Sequence, residues 1–99
     1  MSANDVELAR RDAGDFRSVR LQLQADGSLR LHTYDMGPKA PSADGREQSE
    51  FWVTVPPEEV GKLAFVLMKE RFAGRLQAVT EFRDFCKGNE VVNAFKTSP

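Results

Sequence analysis

Two alternating segments joined by a short Asp-Gly turn constrain this chain more than any other feature. Residues 16–24 read Phe-Arg-Ser-Val-Arg-Leu-Gln-Leu-Gln. From Ser18 onward, Val19, Leu21 and Leu23 face one way and Ser18, Arg20, Gln22 and Gln24 the other, which is the two-residue period of a strand. In residues 28–35, Leu29 and Leu31 share a face with Thr33, opposite Arg30, His32 and Tyr34. Between the runs lies Ala25-Asp26-Gly27, a hairpin signal. A two-residue Asp-Gly turn would set Leu23 against Arg30 and Leu21 against His32, mixing apolar and polar residues on both faces, because directly paired residues share a face. A three-residue loop over Ala25, Asp26 and Gly27 pairs Leu23 with Leu29, Leu21 with Leu31 and Arg20 with His32. It also sets Arg17 against Asp35 as an ion pair. That loop needs a left-handed residue at its last position, which Gly27 supplies. The sequence therefore predicts the three-residue loop.

The remaining elements follow from periodicity and punctuation. Residues 50–55 predict a third strand, with Phe51, Val53 and Val55 turned to the core and Trp52 and Thr54 outward. Pro56-Pro57-Glu58-Glu59 opens a helix, since proline suits the first turn and acids there complement the helix dipole. Val60, Leu63, Ala64, Leu67, Met68 and Phe72 recur at helical spacing as a core-packing stripe, and Ala73-Gly74 ends it. A second helix falls within residues 75–87, stopped by Gly88-Asn89, and residues 90–96 read as a last short strand. Residues 1–15 lack a clear period and read as a flexible N-terminal leader. Residues 36–49, rich in Gly, Pro and Ser, read as a long mobile loop. Strands filling the first half and helices the second give an α+β class rather than a parallel βαβ sheet. The expected architecture is one domain over residues 16–99, an antiparallel sheet of three or four strands with two helices packed on its leucine face.

Composition narrows the function classes. In 99 residues, 14 Lys and Arg against 15 Asp and Glu leave a net charge of −1, so any pull on nucleic acid or an anionic membrane would need a local patch. The longest apolar stretch, Leu63 to Met68, is too short to span a bilayer, so no membrane role is expected. With a single cysteine, Cys86, there is no intrachain disulfide, and the expected compartment is the cytoplasm.

The search for chemistry gives one constellation. One His and one Cys without ligand spacing do not make a metal site, no phosphate-binding glycine pattern or nucleophile elbow is present, and no cofactor is expected. Cys86 reads as a small core residue of its helix rather than as the nucleophile of a pair with His32. No catalytic residues are assigned. The face opposite the leucines gathers Arg20, Arg30, His32, Tyr34 and Trp52, the candidate binding face. Tyr, Trp and Arg are enriched in protein–protein hot spots. Arginines beside aromatic rings also resemble a sheet that stacks single-stranded bases. The expectation is a non-catalytic interaction domain, meeting a second copy or another protein through this face. Single-stranded nucleic acid is the alternative, ranked lower because two arginines make a thin phosphate track.

The run His32-Thr33-Tyr34-Asp35-Met36-Gly37-Pro38, followed after a polar loop by Glu50-Phe51-Trp52-Val53, resembles a family of small bacterial proteins in which a strand ends in Asp-Leu-Gly-Pro. Met36 stands here in place of the leucine. The resemblance covers the middle third of the chain and implies a bacterial origin. That family has no assigned activity, so the resemblance implies no site residues.

Overall fold

The structure is a computed structural model, and it describes residues 4–36 and 48–98. Four strands come first: β1 (Asp5–Arg11), β2 (Phe16–Leu23), β3 (Leu29–Met36) and β4 (Gln48–Val55). Two helices follow, α1 (Pro57–Phe72) and α2 (Ala78–Gly88). The strands form one antiparallel sheet in chain order, each beside its sequence neighbour. The fold is α+β, as the element order implies. The chain divides into two compact units, residues 1–64 with the sheet and the start of α1, and residues 65–99 with the rest of α1 and α2.

In the sheet unit the hairpin register is the one face consistency requires. Leu21 lies opposite Leu31, Leu23 opposite Leu29, Arg20 opposite His32 and Arg17 opposite Asp35. Gly27 takes a φ of 91°, the left-handed conformation that costs glycine nothing. The loop is fastened by its own polar groups. The Gln24 amide donates to the Ser28 carbonyl at 2.9 Å, and the Ser28 hydroxyl and amide both donate to Asp26 Oδ1, at 2.6 and 2.8 Å. These bonds hold the Asp26 carboxyl below its usual range, the Ser28 hydroxyl contributing most. At the open end of the hairpin, Arg17 grips Asp35 with two parallel bonds of 2.5 and 2.6 Å. The Asp35 carboxylate is buried there and held below its ordinary value by that guanidinium.

The sheet departs from the sequence reading in three places. Residues 5–11, read within a flexible leader, form the edge strand β1 and pair with β2. Their alternation is hidden because the register shifts between Glu7 and Ala9, so Val6 and Ala9 reach the leucine face while Leu8 sits at the irregularity. Phe51 and Val53, expected in the core, are 59% and 68% exposed. Leu23 and Leu31 on the inner strands are exposed on the same face, so the exposure belongs to the leucine face as a whole and not to these two positions. The expected mobile loop, apart from Met36, Gln48 and Ser49, lies outside the described residues.

α1 starts in the sheet unit as expected, with Pro57 in its first turn and Glu58 and Glu59 beside the positive helix end, and it finishes in the helical unit with Lys69 and Arg71 in its last turn. Gly74 follows with a φ of 77°. The expected buried stripe does not appear, since no residue of α1 is buried and Phe65 and Leu67 are 69% and 54% exposed. The sequence from Leu63 to Met68 is unbroken apolar and points all round the helix rather than along one stripe. Phe72 and Phe82 meet edge-to-face at 5.9 Å, and Cys86 on α2 is the one buried apolar residue among the described residues. Residues 90–96, expected as a strand, form none. A helix-ending motif stands at their start instead: the Val91 amide donates back to the Cys86 carbonyl at 2.9 Å and the Glu90 amide to that of Lys87, with Glu90 at a φ of 56°.

Candidate interaction face

The register places the five residues singled out in the sequence on one face of the sheet, in neighbouring cross-strand rows. One row runs Glu7, Arg20, His32, Trp52 from β1 to β4. On one side of it lie Ser18, Tyr34 and Glu50, and on the other Gln22, Arg30 and Thr54. Directly opposed side chains in an antiparallel sheet are about 5 Å apart at Cβ, close enough to touch.

They do touch. The His32 imidazole lies parallel to the Trp52 indole with ring centroids 5.0 Å apart, and Trp52 keeps half its surface exposed. His32 Nε2 is buried, has no hydrogen-bond partner among the described residues, and lies 3.7 Å from Glu50 Oε1. Arg30 Nε donates to Thr54 Oγ1 at 3.3 Å. Phe16 meets Tyr34 edge-to-face at 6.1 Å, and the Arg10 guanidinium lies over the Phe16 ring at 5.0 Å.

β1 changes the electrostatics that the sequence suggested. It brings Asp5, Glu7 and Arg10 onto this face, which the reading of residues 1–15 as a leader left out. Arg20 donates to Asp5 Oδ1 at 2.9 Å and lies 3.8 Å from Glu7 Oε2. Glu7 also accepts from Arg10 at 3.1 Å and from the Ser18 hydroxyl at 2.7 Å. Arg10 and then Ser18 hold the Glu7 carboxyl below its usual value, and Glu7 in turn raises Arg10. Asp5, Glu7 and Glu50 therefore balance Arg10, Arg20 and Arg30, and Arg20 is already engaged. The alternation Asp5-Val6-Glu7 was the available signal for β1, cut short at Leu8.

The opposite face has a different chemistry. Val6, Leu21, Leu23, Leu29, Leu31, Phe51, Val53 and Val55 share it, with Arg17 and Asp35 neutralising each other at one end. Leu23, Leu31, Phe51 and Val53 are all exposed. In the helical unit, Phe65, Met68, Phe72, Val79 and Phe82 line a shallow apolar groove.

Among the described residues, no three His, Cys, Asp or Glu side chains come together in a metal-holding group, and no helix is long and apolar enough to cross a membrane. No family model, curated protein or solved structure matches the chain.

Proposed function

We propose that this protein is a non-catalytic interaction module that works through its sheet, with a second copy of the chain as the first partner to test and another protein as the second. The observation that supports this is β4. It carries Phe51 and Val53 to one face and Trp52 to the other, each at least half exposed. Fully burying a side chain of this size is worth about 1.5–3 kcal/mol, so completing the burial of these three recovers about 3–5 kcal/mol per copy. The sheet unit by itself leaves that free energy unrealised.

The single tryptophan makes the test direct. Sedimentation mass and iodide quenching of Trp52 are measured from micromolar to millimolar protein. The expected result is a mass above 11.1 kDa and falling quenching as concentration rises. A chain of 11.1 kDa with Trp52 freely quenched throughout, and no protein partner that protects it, overturns the reading.

Single-stranded nucleic acid is the second reading, favoured by the His32–Trp52 stack and the Phe16 and Tyr34 rings on one face. The charge balance weighs against it, because a phosphate track needs free cations and here Arg10 and Arg20 are engaged by Glu7 and Asp5, which leaves Arg30 alone without an acidic partner among the ion pairs of this face. Binding of an oligonucleotide that weakens steeply with salt would reverse the ranking.

A further inference from the structure

The two edges of the sheet are not alike. β1 is guarded in the ways that stop a strand from recruiting another: four of its seven residues, Asp5, Glu7, Arg10 and Arg11, are charged, and its register is broken between Glu7 and Ala9. Charges and a bulge are the devices that blunt an edge. β4 has none of them. Its eight residues, Gln-Ser-Glu-Phe-Trp-Val-Thr-Val, contain no proline, no glycine and one charge, its pairing with β3 is continuous over all eight, and it pairs with no other strand among the described residues. Aromatic and β-branched residues fill its second half, as in strands that pair readily.

We propose that β4 pairs with β4 of a second copy of this chain, antiparallel and centred on Trp52, so that two four-stranded sheets join into one. The inference rests on the interaction reading above and names its partner and its contact. A guarded β1 and an open β4 leave only the isologous edge-to-edge arrangement, which closes as a dimer. Two open edges would instead have allowed an endless array. The register follows from face parity and charge. Directly opposed residues must share a face, so only every second offset is allowed. Centred on Trp52, Phe51 stands opposite Val53 of the second copy on the apolar face, and Glu50 stands opposite Thr54, well away from the other Glu50. Trp52 then meets its own copy, and the apolar faces of both sheets become continuous across the join.

The experiment uses the full chain at concentrations where it associates. Native hydrogen exchange of the unaltered protein should protect consecutive β4 amides, whereas a free edge protects only alternate ones. A Trp52→Cys variant should cross-link to itself under mild oxidation, since opposed residues in such a pair lie about 4.5–5.5 Å apart at Cα, within disulfide reach. Because Trp52 contributes to the contact, a mixture of Glu50→Cys and Thr54→Cys chains provides a second reading and should cross-link to each other. Leu8→Cys on β1 should not cross-link. Val53→Lys should halve the solution mass to 11.1 kDa with the sheet retained, while Leu8→Lys leaves it unchanged. A dimer that gives no β4 cross-link and shows alternate exchange along β4 overturns edge pairing but leaves the interaction reading standing. A monomer at millimolar concentration overturns edge pairing, and the interaction reading falls with it only when no protein partner protects Trp52.

Discussion

Glu90 offers the sharpest test of the backbone physics. It is the one described residue other than glycine with a positive φ, 56°, and it stands where a glycine ordinarily completes the turn that ends a helix. The left-handed conformation costs an L-residue with a Cβ about 1–2 kcal/mol. Glycine removes that strain but loses about 0.5–1 kcal/mol more backbone entropy on folding. Its carboxylate also lies just past the last carbonyls of α2, at the negative helix end, where removing it gains about 0.3 kcal/mol. Together these give Glu90→Gly a stabilisation of about 1 kcal/mol, while Glu90→Ala keeps the strain and gains only the charge effect. Urea unfolding followed by ellipticity at 222 nm reads both, with the slope unchanged and the midpoint raised for glycine. If alanine stabilises as much as glycine, the strain argument is wrong and only the charge matters.

Gly27 runs the same logic in reverse. Its φ is 91° and a Cβ there would meet Pro57 Cβ at an ordinary 3.7 Å, so Gly27→Ala should destabilise by about 1 kcal/mol through backbone strain rather than collision, measured as a lower urea midpoint. Asp35 should mark the acid limb of the stability curve. Arg17 holds its carboxyl below the ordinary 3.8, so the stability this pair adds is complete above that value and is lost as pH falls through the lower, folded value. Asp35→Asn should be less stable at neutral pH and show a shallower decline below pH 4, and an unchanged acid limb would refute the assignment. Cys86 is 2% exposed and should react with a thiol reagent only as fast as its helix opens, so burst labelling of the native chain would contradict its burial.

What the sequence disclosed and what it hid separate along physical lines. The β2–β3 hairpin was fully readable because three independent constraints, face parity, the Arg17–Asp35 pair and the glycine requirement, converge on one register. The five residues of the candidate face were placed together for the same reason, since parity within strands carries across a sheet once the register is known. β1 was missed because one extra residue at the bulge destroys alternation in a segment only seven residues long. The core was misjudged from local pattern. Phe51 and Val53 alternate as buried residues do, yet alternation marks a face without saying what covers it, and Leu23 and Leu31 on the inner strands are exposed on that same face. The supposed strand at residues 90–96 failed because Val91, Val92 and Phe95 are apolar without alternation, and the turn built on Glu90 uses a residue that carries no signal for it.

The connection between β3 and β4 also sets an order of events in time. Four residues separate β1 from β2 and five separate β2 from β3, but eleven separate β3 from β4. Closing the longest of these loops costs about 0.7 kcal/mol more than closing the hairpin, on the logarithmic scale of loop entropy. On that scale the two short connections close first, the β2–β3 hairpin with the added hold of Asp26 and Ser28, and β4 is the strand expected to join last and to leave first. Each departure uncovers β3, whose whole length then becomes a template for the β4 of any nearby chain. Folding rate and crowding are linked in such a protein: at low concentration β4 must return to its own sheet, and at high concentration exchange of strands between chains competes with that return. Refolding amplitudes that depend on protein concentration, in β4 amides and not in those of the β2–β3 hairpin, would record that competition.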